Sequence, residues 1–173
     1  MERIRLSADA KDALLTRLME THGTSVLRVC FLYLHDHGLA QDAAQSTFLN
    51  AWKALDRFRA DASEKTWLMA IAVNTCRTIL RSREYRLYAT GADPEHLAEP
   101  AEDPILPDGT VAQAVMSLPH KYREVLILHY YQNLPTADVA RALHVPEATV
   151  RTRLHRARRM LEPLLKGWYL NDE

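Results

Sequence analysis

The 173-residue sequence holds only 5 glycines and 2 cysteines, and no apolar run approaches the ~20 residues that a membrane-spanning helix requires. Collagen-like, low-complexity and integral-membrane architectures are thereby excluded. Cys30 and Cys76 lie far apart in sequence, each among apolar residues, which fits a reducing compartment better than a disulfide framework. The opening MERIRLSADAK lacks the apolar stretch of a secretory signal, so the cytoplasm is the expected location. CxxC and HExxH spacings, a glycine-rich phosphate loop and a nucleophile elbow are missing as well. The nearest approach to a metal site is Cys30, His35 and His37, but the two histidines project about 200 degrees apart on a helix. No catalytic centre, metal or cofactor is expected.

Net charge is also absent, at +0 formally, but its distribution is uneven. Residues 1–90 carry 13 Lys/Arg against 10 Asp/Glu, residues 91–110 carry none against 6, and residues 111–173 carry 9 against 6. Two basic lobes therefore flank an acidic strip, and screening over ~8–10 Å lets each act locally. The strip, 89–110, contains Pro94, Pro100, Pro104 and Pro107 and reads as a flexible acidic linker, since proline blocks regular structure and like charges repel.

With 47% hydrophobic and 25% charged residues the chain has ordinary globular composition, enough for one domain or two small ones. Apolar residues recur three and four apart on both sides of the linker, and sustained alternation is missing, so an all-α fold is expected. Helices are expected over about 8–20, 25–35, 39–55 and 64–84, then about 111–117, 120–131, 136–143 and 147–165, with Ser63 capping the fourth.

The segment 134–165 has helix-turn-helix form: Thr136 as a cap, Val139, Ala140 and Leu143 facing inward, His144 and Val145 as the turn, then Pro146 opening a longer helix. On that helix Val150, Leu154, Ala157 and Leu161 fall within about 40 degrees of one direction, the stripe to be buried. The remaining surface holds five arginines among the nine residues 151–159. Arginine's planar fork matches phosphates and guanine edges, and the N-terminal turns of a second helix lie nearest the bases. Arg151, Thr152, His155 and Arg156 are accordingly base-reading candidates, with Arg153, Arg158 and Arg159 as phosphate contacts.

In the first lobe, Phe48, Trp52, Leu55, Trp67, Leu68 and Ile71 form an aromatic-rich core at helical spacing. Asp42, Gln45 and Leu49 make a mixed strip suited to docking a protein, whereas Asn74, Arg77, Thr78 and Arg81 share a face suited to nucleic acid, extended by Arg83 and Arg86.

The pattern D-x-x-Q-x-x-F-L-x-A-W-x-x-L-x-x-F-R at 42–59, D-A-S-x-K-T-W-L at 61–68, Asn74, L-P-x-x-x-R-E-V-L at 118–126 and T-V-R-x-R-L-x-R-A-R at 149–158 resembles the extracytoplasmic-function (ECF) sigma factors of bacterial RNA polymerase. The resemblance implies two small helical domains, sigma region two at 1–88 and region four at 111–173. It implies a promoter-recognition subunit that docks on the β′ clamp helices through Asp42, Gln45 and Leu49 and also meets the β flap. It further implies minus-ten recognition by Arg59, Asp61, Ala62, Ser63, Lys65, Asn74, Arg77 and Arg81, with the loop 58–63 capturing a flipped base. Minus-35 recognition falls to the helix-turn-helix, and an anti-sigma factor is the expected masking partner. Ala70 and Val73 depart from the pattern where arginine is frequent. The rival reading is a ligand- or phosphorylation-controlled repressor or activator, binding operators as a homodimer through the same helix-turn-helix.

Overall fold

A computed structural model describes residues 6–59, 61–90 and 109–169, apart from the side chains of 84–90, 109–110 and 167–169. All its regular elements are helical: α1 (Ala8–Leu34), α2 (His37–Ala54), α3 (Glu64–Thr90), α4 (Gly109–Ser117), α5 (His120–Leu126), α6 (Thr136–Leu143) and α7 (Glu147–Tyr169). Most of the linker, together with the side chains of Arg86, Trp168 and Tyr169, lies outside the described residues.

The first two expected helices are one. α1 runs unbroken through Thr21-His22-Gly23-Thr24, with Leu18 before the segment and Val26, Val29 and Cys30 after it all buried in one core. Ser7 caps α1 by accepting from the Ala10 N–H, and His35 ends it in the left-handed region at φ 53. Asp36 then caps α2, its Oδ1 accepting from Leu39 N at 2.8 Å. A single 3₁₀ turn (Leu55–Arg57) closes α2. Ser63 caps α3 as expected, with Thr66 N donating to its Oγ at 3.1 Å. The bidentate Arg17–Glu64 pair ties that end of α3 to α1. In this exposed pair the Arg17 hydrogen bond holds the Glu64 carboxyl below its ordinary range.

Val26, Val29, Leu32, Leu68, Met69, Ala72 and Val73 are fully buried where α1 and α3 meet, with Phe48 and Leu55 against them. Trp52 and Trp67 cover the edge of this core. Trp52 donates its Nε1–H to Asp12 at 2.9 Å, and Phe58 packs on Trp67 with ring centroids 4.8 Å apart. Cys30 and Cys76 come together in the same core as free, buried thiols. The hydrogen bond to Cys30 and then burial push the Cys76 thiol far above its ordinary value. Such a thiol is held in its unreactive protonated form.

In the second lobe α5 passes into a π-helical turn (Ile127–Tyr131), where Gln132 N donates to Ile127 O at 3.1 Å. His129 Nδ1 lies 2.8 Å from Leu134 O, fixing the chain's exit beyond Asn133, which sits at φ 55. Thr136 does not cap α6. Pro135, whose ring fixes φ at −57, opens that helix, and the Thr136 hydroxyl donates to Glu147 at 2.6 Å instead. α7 is four residues longer than expected and continues through Pro163 to Tyr169. The buried residues of both lobes form one continuous cluster, so the two sides of the linker are packed together.

Candidate nucleic-acid and polymerase interface

The turn between α6 and α7 aims the basic helix. His144 adopts the left-handed conformation at φ 54, and Val145 N reaches back to Ala140 O at 3.1 Å while Val145 packs on the core. This closes α6 with a Schellman-type bond pattern and reverses the chain in two residues. Val150, Leu154, Ala157 and Leu161 are buried, as the wheel required, and Arg151, Thr152, His155, Arg156, Arg158 and Arg159 are exposed. Arg151 is paired with Glu147 at 2.7 Å on the surface, an i,i+4 contact worth little in water and readily exchanged for a phosphate. The hydrogen bond from Arg156, helped by Lys121, lowers the Tyr122 hydroxyl pKa. Tyr122, Thr149, Thr152 and Arg156 line one open cleft.

Arg153 behaves differently from its neighbours. It is half-buried and turned onto Glu124 at 3.3 Å. Glu124, only 4% exposed, also receives Arg77 at 2.9 Å and the Tyr33 hydroxyl at 2.6 Å. Burial first, then the neighbouring Glu124 carboxylate, raises the Tyr33 pKa. For Arg77, burial acts to lower the pKa, but the Tyr33 hydroxyl and Glu124 outweigh it and the net shift is upward. The neighbouring Arg123 donates to the Leu118 carbonyl at 3.1 Å, to that of Met116 and, across the lobes, to the Tyr33 carbonyl at 3.3 Å, and its burial lowers its pKa. This carboxylate cluster was not visible in the sequence, because its members stand 29, 47 and 91 positions from Glu124.

On the first lobe the structure divides what the helical wheel placed together. Asn74 and Thr78 line a groove with Ser46 and Asn50 between α2 and α3. Arg77 and Arg81 line a separate cleft that faces Lys121 and Arg153 of the other lobe. Arg59, Asp61 and Ser63 are exposed or nearly so at the loop before α3, and Ala62 is half-buried. The Asp61 carbonyl accepts from Arg141 at 2.9 Å, and Lys65 Nζ donates to the Gln132 carbonyl at 2.6 Å. Val73 points into the core and Ala70 is half-buried, so the sequence departures there fall largely on packing positions. Asp42, Gln45 and Leu49 form an exposed strip on α2, with Leu49 at 56% exposure, an unusual value for a leucine beside a full core. Among the described residues no group of three or more His, Cys, Asp or Glu could hold a metal ion, and no helix is long and apolar enough to cross a membrane.

Residues 18–86 match the sequence model for Sigma-70 region 2, and residues 109–161 match that for Sigma-70, region 4. The chain is 35% identical over 159 residues to the RNA polymerase sigma-H factor of Pseudomonas aeruginosa, covering 82% of each. It is 38% identical over 133 residues to the ECF RNA polymerase sigma factor SigC of Mycobacterium tuberculosis, covering 73% of this chain and 70% of that one. Its fold is similar to that of the sigma factor RpoE solved in complex with the anti-sigma factor NepR from Bartonella quintana. There the TM-score is 0.76 at 25% identity, covering 87% of this chain and 96% of the other. Two basic helical lobes, each matching a different sigma region in the expected order, place this chain in the family of ECF sigma factors of bacterial RNA polymerase.

Proposed function

We propose that residues 1–88 form the polymerase-docking and minus-ten unit, residues 89–110 the tether, and residues 111–173 the minus-35 unit. The exposed Leu49, flanked by Asp42 and Gln45 on α2, carries the docking part of this reading, because a free apolar side chain between polar neighbours is what a helical partner such as the β′ clamp would cover. Arg151, Thr152, His155 and Arg156 read the minus-35 duplex, and Arg158 and Arg159 hold its phosphates; Arg153 joins them once released from Glu124. Arg59, Asp61, Ala62, Ser63, Lys65, Asn74, Arg77 and Arg81 take the minus-ten strand. The second lobe also meets the β flap. An anti-sigma factor covers these faces between uses, a partner type present in the solved RpoE–NepR complex. The chain works in the cytoplasm and performs no chemistry of its own, lending its choice of start site to the polymerase.

Run-off transcription with purified core polymerase and a promoter library tests the assignment: discrete start sites support it, and the absence of transcripts above core enzyme alone sinks it. Gel filtration separates it from the repressor reading, since co-elution with core polymerase is expected and a free dimer on a palindrome is not. Leu49→Asp places a charge in the docking strip without touching the core, and it is expected to weaken core-polymerase binding by about tenfold or more, roughly 1.4 kcal/mol. Unchanged affinity in a fluorescence titration would remove α2 from the docking surface.

A further inference from the structure

The helix-turn-helix puts a carboxylate where its second helix begins. Glu147 is the first residue of α7, directly after Pro146, and its side chain is 37% exposed. Two donors from different elements fix it: the Thr136 hydroxyl of α6 at 2.6 Å, and Arg151 Nη2, one turn further along α7, at 2.7 Å. Both donate to the same oxygen, Oε1, and among the described residues none donates to Oε2. The hydrogen bond from Thr136, then that from Arg151, holds the carboxyl below its ordinary range, so it stays an anion that can only accept. A helix N-terminus ordinarily draws a phosphate, because its free N–H groups and its dipole favour negative charge. On α7 that place is filled by the chain's own carboxylate, which repels the backbone of a DNA strand. This end of the helix is therefore suited to base edges rather than to phosphates.

We propose that Glu147 is a specificity-determining contact of the helix-turn-helix, its Oε2 accepting a hydrogen bond from the exocyclic amine of one cytosine in the minus-35 duplex. Resting on the assignment of α7 to that duplex given above, this contact adds to the arginines a reader of the opposite sign. In the major groove guanine presents N7 and O6 and thymine presents O4, all acceptors, which repel a carboxylate. Adenine sets the acceptor N7 beside its N6 amine, and cytosine alone offers a donor with no acceptor next to it. An arginine selects bases that accept, and Glu147 rejects them, so neighbouring side chains of one helical turn demand opposite edges. Thr136 is a positioning residue in this arrangement: its hydroxyl keeps the carboxylate in place when Arg151 leaves Glu147 for the DNA.

The test uses holoenzyme assembled with the full chain, bound to duplexes substituted singly through the minus-35 element. Glu147→Gln is expected to move the preference at one base pair from cytosine toward adenine by about tenfold, because an amide both accepts from N6 and donates to N7. Glu147→Ala brings the four bases at that pair within about threefold of one another, since neither the attraction nor the repulsion remains. Preferences at every other pair stay as in the wild type. Thr136→Val narrows the preference at the same pair by less, and Thr136→Ser restores it, a rescue that loss of packing alone would not show. A base profile unchanged in both Glu147 variants, or an equal loss of affinity for every duplex, would overturn the proposal and leave Glu147 as a brace for the turn. Arg156→Ala in the same series separates the two levels of the reading. If Arg156→Ala alters its own base pair while the Glu147 variants alter none, only the cytosine contact fails; if wild-type holoenzyme shows no base preference in the element, the minus-35 assignment falls and the contact falls with it.

Discussion

Leu154→Ala is expected to lower the unfolding free energy by about 2–5 kcal/mol, the range for deleting a buried leucine from a core that cannot collapse around the void. Leu154 is 1% exposed on α7, and its stripe neighbours Val150 and Ala157 are fully buried. The helices it meets, α5 and α6, are short and already committed to the carboxylate cluster and to the tight turn, which leaves little room for relaxation. Urea unfolding of the variant beside Arg159→Ala, an exposed site on the same helix, measures the difference. A loss below about 1 kcal/mol in Leu154→Ala would mean that the stripe is not what fastens the DNA-binding helix to its lobe.

Arg156→Ala should cost about 1–3 kcal/mol at one minus-35 base pair and relax the preference there, whereas Arg159→Ala should weaken binding evenly across sequences and reduce the salt slope by about one. The geometry gives the reason for the contrast. Arg156 is exposed beside Thr152 in a cleft that both share with Tyr122 and Thr149, within the N-terminal half of α7 where a recognition helix meets base edges. Arg159 lies a turn further from the N-terminal end, where a major-groove helix meets backbone. Holoenzyme binding to a set of duplexes substituted singly through the minus-35 element measures both. Identical base preferences for Arg156→Ala and the wild type would assign Arg156 to phosphate.

The helix-turn-helix was legible because its signals are local: a buried stripe at helical spacing, a proline at the second helix's start and a run of arginines on the remaining surface. The expected break in α1 has a local origin too, since Thr-His-Gly-Thr resembles a turn while the buried residues on either side keep the helix continuous. Thr136 has the chemistry of a cap, but Pro135 occupies that position, and the Thr136 hydroxyl braces Glu147 across the turn. What no pattern of spacing could supply is pairing at long range. The meeting of Cys30 with Cys76, the convergence of Tyr33, Arg77 and Arg153 on Glu124, and the separation of Arg77 from Asn74 into different clefts all depend on how helices cross rather than on which residues face together.

Glu124 carries a consequence for genetics. One carboxylate is shared by guanidiniums from two lobes, so removing either arginine leaves the survivor a fuller partner, and the effects of Arg77→Ala and Arg153→Ala on stability will not sum. An allele at either position selected for altered promoter choice will also change how firmly Glu124 is held at the contact between the lobes, and a screen that scores transcription alone will confound the two.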